Sequence, residues 1–61
     1  MQTMTLKQVF KLIGHKVDVH VEIDRFVEIR TSKAIMNFNN VSGYAYIEMF
    51  NGNEYRIKIV D

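Results

Sequence analysis

Asp18, His20 and Glu22 are the residues of this chain whose types and spacing come nearest to catalytic chemistry. Alternate positions on an extended strand share one face, so these three side chains project side by side, roughly 6.5–7 Å apart from Cβ to Cβ. With His15 a few residues upstream, the row has the donor types for a divalent metal. A solvated strand face produces the same alternation, and a lone histidine rarely builds a metal centre. The solvated face is therefore the expected reading, and no catalytic, cofactor or metal residue is assigned. A hydrolase needs a nucleophile beside a base and a third orienting group. The chain supplies Ser32, Ser42, two histidines and seven carboxylates, and nothing in their spacing places them together. Gly14, Gly43 and Gly52 are isolated, so no glycine-rich phosphate loop is written into the sequence. The sequence reads as that of a protein that is not an enzyme.

Composition narrows the class further. The chain has 61 residues, 48% apolar and 25% charged, the balance of one ordinary globular domain over 1–61 rather than of a disordered regulator. At this length folding hides only about 60% of the unfolded surface, so one core is thinly stabilised. With no cysteine, neither a disulfide nor a thiolate zinc site can reinforce it. Two supports remain, tight idealised packing or burial of a further face against a second copy or a partner, and the second is expected. Net charge is +1, with 8 basic and 7 acidic residues scattered along the chain, which argues against generic nucleic-acid or membrane affinity. No apolar run is long enough to span a bilayer or to serve as a signal-peptide core, so a cytoplasmic location is expected. The low alanine content and the emphasis on Ile, Asn and Lys suit an AT-rich bacterial or phage genome.

Any chemistry must be positioned by a few short elements. Residues 5–13 read as an amphipathic helix, with Leu6, Val9, Phe10 and Ile13 on one stripe. Thr5 and Gln8 have capping-box spacing, Met4 can pack on Val9 as a staple, and Gly14 suits the position past the helix end. From Lys16 the period becomes two. Val17, Val19, Val21 and Ile23 line the face expected to be buried, leaving Asp18, His20 and Glu22 for water. A second strand is expected at 27–31. If Asp24-Arg25-Phe26 forms the loop between them, Ile23 meets Val27 and Val21 meets Ile29, but Glu22 then opposes Glu28. A continuous strand with a bulge there is the alternative. Residues 32–40 fit a third strand with Ala34, Met36 and Phe38 on one face, or else a helical turn capped by Ser32. Asn39-Asn40 marks a turn.

The last 20 residues form a hairpin. A two-residue loop at Asn51-Gly52 mixes the faces, whereas a three-residue loop at Asn51-Gly52-Asn53 sets Ala45 against Ile59, Ile47 against Ile57 and Met49 against Tyr55. It also sets Glu48 against Arg56 and Tyr46 against Lys58. The expected fold is α+β: one short N-terminal helix on a four- to five-stranded antiparallel sheet, or a small SH3-like or Sm-like barrel. Outward on the hairpin lie Tyr44, Tyr46, Phe50, Arg56 and Lys58, the mix enriched in interfaces and hence the expected binding surface. The expected function is a small regulatory or inhibitory protein that binds a larger protein and forms a homodimer. The alternative is a small nucleic-acid-binding β-domain in which those aromatics stack on single-stranded substrate.

Overall fold

A computed structural model describes residues 2–60 of the chain. Its elements in chain order are strand β1 (Gln2–Thr5), helix α1 (Leu6–Ile13), and strands β2 (Val19–Ile23), β3 (Phe26–Arg30), β4 (Ala34–Asn39), β5 (Tyr44–Met49) and β6 (Glu54–Val60). They form one sheet in the order β1-β6-β5-β4-β3-β2. From β2 to β6 the chain is an antiparallel meander, and β1 adds to β6 in parallel. The protein is α+β, as expected, but the sheet is mixed, six-stranded and open, with β1 and β2 as its edges; it is not a barrel.

The helix starts where its sequence signals place it. Thr5 accepts from the Gln8 amide at 3.2 Å, and the Gln8 side chain accepts from the Thr5 amide at 2.8 Å, so two orphan donors of the first turn are met reciprocally. The chain therefore passes from β1 into α1 with no loop between. Residues 2–4 carry no alternation long enough to announce a strand; β1 exists because Met4 packs on the core while its backbone pairs with β6. Val9 and Ile13 are fully buried and Phe10 and Leu12 pack beside them, whereas Leu6, expected on the buried stripe, is exposed.

Against α1 the sheet presents Val27, Ile29, Ala34, Met36, Ala45, Ile47 and Ile57 as the core, with Phe38, Met49, Tyr55 and Ile59 around them. The stretch 32–40 resolves as strand β4, entered by the tight turn in which Thr31 N–H donates to Ala34 O at 3.0 Å. Thr31 lies outside β3 and is the one buried polar residue among those described. Its hydroxyl donates to the carbonyl of Ile13, the last residue of α1, and accepts from the Lys33 amide at 3.2 Å, tying the helix end to the sheet.

Two hairpin registers differ from expectation. The loop between β5 and β6 has three residues, but they are Phe50, Asn51 and Gly52. The Met49 amide donates to Asn53 O at 2.8 Å, Gly52 donates back to Met49 O at 3.0 Å, and Gly52 takes φ 99°, where a side chain would be strained. Moving a three-residue loop by one position shifts the register by two, so partners change and faces do not. Ala45 meets Ile57, Ile47 meets Tyr55, Tyr46 meets Arg56, Tyr44 meets Lys58, and Glu48 meets Glu54 rather than Arg56.

The change between β2 and β3 has larger consequences. Their turn is the two residues Asp24-Arg25, with Asp24 itself at φ 54°, a conformation that aspartate tolerates better than most residues. Ile23 pairs with Phe26, Val21 with Glu28 and Val19 with Arg30. This is one residue away from the expected loop and it reverses the strand. Val19, Val21 and Ile23 point away from the helix, while His20 and Glu22 fall on the helix side, opposite Ile29 and Val27. All five residues of β2 are exposed, so the valine row is not part of the core. No bulge replaces the turn, and the Glu22–Glu28 clash of the three-residue register is absent.

Candidate functional site

The reversal of β2 determines what the helix-free face of the sheet contains. Residues in cross-strand register stand in a line perpendicular to the strands, so the pairings define rows of side chains. One row runs Val21, Glu28, Asn37, Tyr46, Arg56 across five strands. The next holds Ile23, Phe26, Asn39 and Tyr44. Between them lies the row Val27, Phe38, Ala45 and Ile57, whose side chains turn to the helix and whose backbone forms a floor. These three rows line a groove of about 630 Å³ that crosses the strands. Short asparagines at its centre and larger side chains at both ends give the groove its profile.

Its two ends differ chemically. At the β2–β3 end, Ile23 is 67% and Phe26 62% exposed, and Val21 stands beside them at 44%. Exposed apolar side chains are ordinary singly, but here they are contiguous. At the β5–β6 end the guanidinium of Arg56 lies 5.5 Å from the ring centre of Tyr46, and the Lys58 ammonium 5.5 Å from that of Tyr44, both within cation–π range. The Tyr46 hydroxyl donates to Glu54 Oε1 at 2.5 Å. That bond, reinforced by desolvation and by the nearby Glu48 and Glu54 carboxylates, holds its pKa above the ordinary tyrosine value of 10.0 despite the opposing Arg56, so the ring stays neutral at physiological pH. Glu28 and Arg30 neutralise each other through a 2.9 Å bond. Glu28–Arg30 is the one ion pair on this face among the described residues; Arg56 and Lys58 lie over tyrosine rings, and the apolar surfaces are left without a partner.

Four of the five residues expected to form the binding surface, Tyr44, Tyr46, Arg56 and Lys58, stand together on this face. Phe50 does not join them. It sits in the β5–β6 loop, exposed, with its amide bound to Lys33 O at 2.9 Å. Sequence reasoning missed the other wall by assigning Val21 and Ile23 to the core and Phe26 to the join between β2 and β3. The available signal was the opposition of Glu22 and Glu28 in the three-residue register, which the two-residue turn relieves.

The Asp18, His20, Glu22 row does not assemble as a site. Asp18 precedes β2, His20 and Glu22 are 3.8 Å apart, and Glu22 also accepts from the Asn40 amide group at 3.3 Å. Among the described residues no three metal-binding side chains converge. Among the described residues no helix is long and apolar enough to cross a membrane. Searches of protein-family models, curated proteins and solved structures return no match to the chain.

Proposed function

We propose that this is a small non-enzymatic regulatory or inhibitory protein that docks a segment of a larger protein in the groove on the helix-free face. The observation that supports it is the contiguous apolar wall of Val21, Ile23 and Phe26 facing the aromatic pair Tyr44 and Tyr46 across a floor of backbone, with no part of the described chain covering it. Tyrosine and arginine anchors next to apolar pockets are where binding energy concentrates in protein interfaces. A polypeptide running across the strands would lay its apolar side chains between the two rows and exclude other partners from its own surface. The aromatic–cation pairs also favour a second reading, single-stranded nucleic acid stacked on Tyr44 and Tyr46. Glu28, Glu48 and Glu54 on the same face oppose a polyanion, and the protein reading is preferred.

Affinity capture from the native host, with the intact protein as bait, tests this. A specific protein is expected to be retained by the native sequence and weakened roughly 30-fold or more by Tyr46→Ala or Phe26→Ser, as for central interface anchors. Phe26 is 62% exposed, so the thermal midpoint of Phe26→Ser should barely move, while Tyr46 is half-buried and Tyr46→Ala is checked for native circular dichroism before capture. Retention indifferent to both substitutions would contradict the proposal. Binding of a labelled oligonucleotide that falls steeply with salt and is lost in Tyr46→Ala would replace it with the second reading.

A further inference from the structure

The edge strand β2 has a feature that groove binding does not use. In a hairpin closed by a two-residue turn the closing pair is hydrogen-bonded, and pairs then alternate. Ile23, Val21 and Val19 therefore direct their backbone groups to β3, and His20 and Glu22 direct theirs outward, unpaired. Natural edges are blunted by Pro, charged side chains such as Lys, inward-pointing charges, bulges or a covering element; of these Val19–Ile23 carries only His20 and Glu22, on the helix side. The other edge, β1, is shorter and presents Gln2, Thr3 and Thr5.

We infer that β2 pairs antiparallel with β2 of a second copy about a twofold axis at Val21. This deepens the proposed reading by making the docking unit a dimer. Because only His20 and Glu22 have free backbone groups, three registers are open, and charge together with apolar cover selects among them. An axis at Glu22 matches His20 with Asp24 but sets Glu22 on its own copy and Val19 against Arg25, and an axis at His20 sets Glu22 against Asp18. The axis at Val21 sets His20 opposite Glu22 twice, the two oppositely charged when His20 is protonated, with their four outward amide and carbonyl groups bonding in reciprocal pairs. On the other face Val21 meets its symmetry mate and Val19 meets Ile23, so the apolar residues that α1 leaves bare cover one another in an isologous contact. This register also sets Asp18 opposite Asp24, at positions beyond the ends of β2. The two sheets become one twelve-stranded sheet, and the Val21 rows of both grooves join across the axis.

Sedimentation equilibrium of the full chain at tens of micromolar, at pH 6 and low salt, should give twice the 7.2 kDa chain mass. His20→Glu places like charges opposite each other at two sites and should weaken the dimer roughly ten-fold. Combining His20→Glu with Glu22→Lys restores opposite charges and should recover the native affinity. His20→Pro removes an outward donor without touching the β3 ladder and should give a monomer with unchanged circular dichroism. A native chain that stays at 7.2 kDa, or a dimer indifferent to His20→Glu, overturns the inference. These outcomes are independent of partner capture. A monomer that still retains a partner through Tyr46 and Phe26 rejects the dimer alone, and a charge-swappable dimer that retains none rejects only the docking reading.

Discussion

Replacing Met36 with alanine is expected to leave the domain largely unfolded at room temperature. Met36 is fully buried at the centre of β4, pairs with Ile29 on one side and Ile47 on the other, and lies in the cluster that receives Val9 and Ile13 from the helix. Truncating such a side chain typically costs about 2–5 kcal/mol. A single core in a chain of this size rarely supplies more than ~3–5 kcal/mol, so the loss is comparable with the whole stability. Far-UV circular dichroism through a urea titration reads the result. Met36→Leu keeps the volume and should cost less than about 1.5 kcal/mol. A Met36→Ala protein that retains a cooperative transition within about 1 kcal/mol of the native midpoint energy would show that the core is not organised around β4.

Thr31→Val is the second substitution with a large expected effect, although it scarcely changes the shape of the side chain. It removes the hydroxyl that satisfies the Ile13 carbonyl at the end of α1 and the Lys33 amide in the β3–β4 turn. A buried carbonyl left without a donor costs about 1–3 kcal/mol. Thr31→Ser retains the hydroxyl and should recover most of the difference. The loss is also local: the Gly14 amide, which donates to Phe10 O at 2.9 Å in the last helical turn, should exchange with solvent faster in the valine variant than in the serine one. Equal stability of the valine and native proteins would mean that the helix end is not anchored through this hydroxyl.

What the sequence revealed and what it hid follow from the range of the forces involved. The Thr5–Gln8 capping box and the helical stripe at Val9, Phe10 and Ile13 are local and were legible. So was the sidedness of β5 and β6, because alternation fixes faces even when the loop is displaced by one residue. Parallel addition of β1 to β6 joins the two ends of the chain and leaves no local mark. Thr31 resembles any loop threonine until the helix end is brought to it. The β2 reversal is the instructive case. A row of Val and Ile on an alternating strand reads as a core face, and usually is one. Here it lies at the sheet edge, beyond the reach of an eight-residue helix, and an aspartate at positive φ makes the tight turn that a glycine or asparagine would have announced. The same event hid half of the candidate site, since Val21 and Ile23 become groove residues only when β2 is turned over. Tyr44, Tyr46, Arg56 and Lys58 were legible as a group because they follow from the faces of one hairpin.

β2 presents its apolar row away from the helix, and proton NMR tests this at the backbone. In an antiparallel pair the α-protons of residues facing each other without hydrogen bonds come close enough for a strong nuclear Overhauser effect. The two-residue turn predicts such contacts between Glu22 and Val27 and between His20 and Ile29. A contact between Glu22 and Glu28 in their place would return Val21 and Ile23 to the helix side and remove the groove wall on which the account depends.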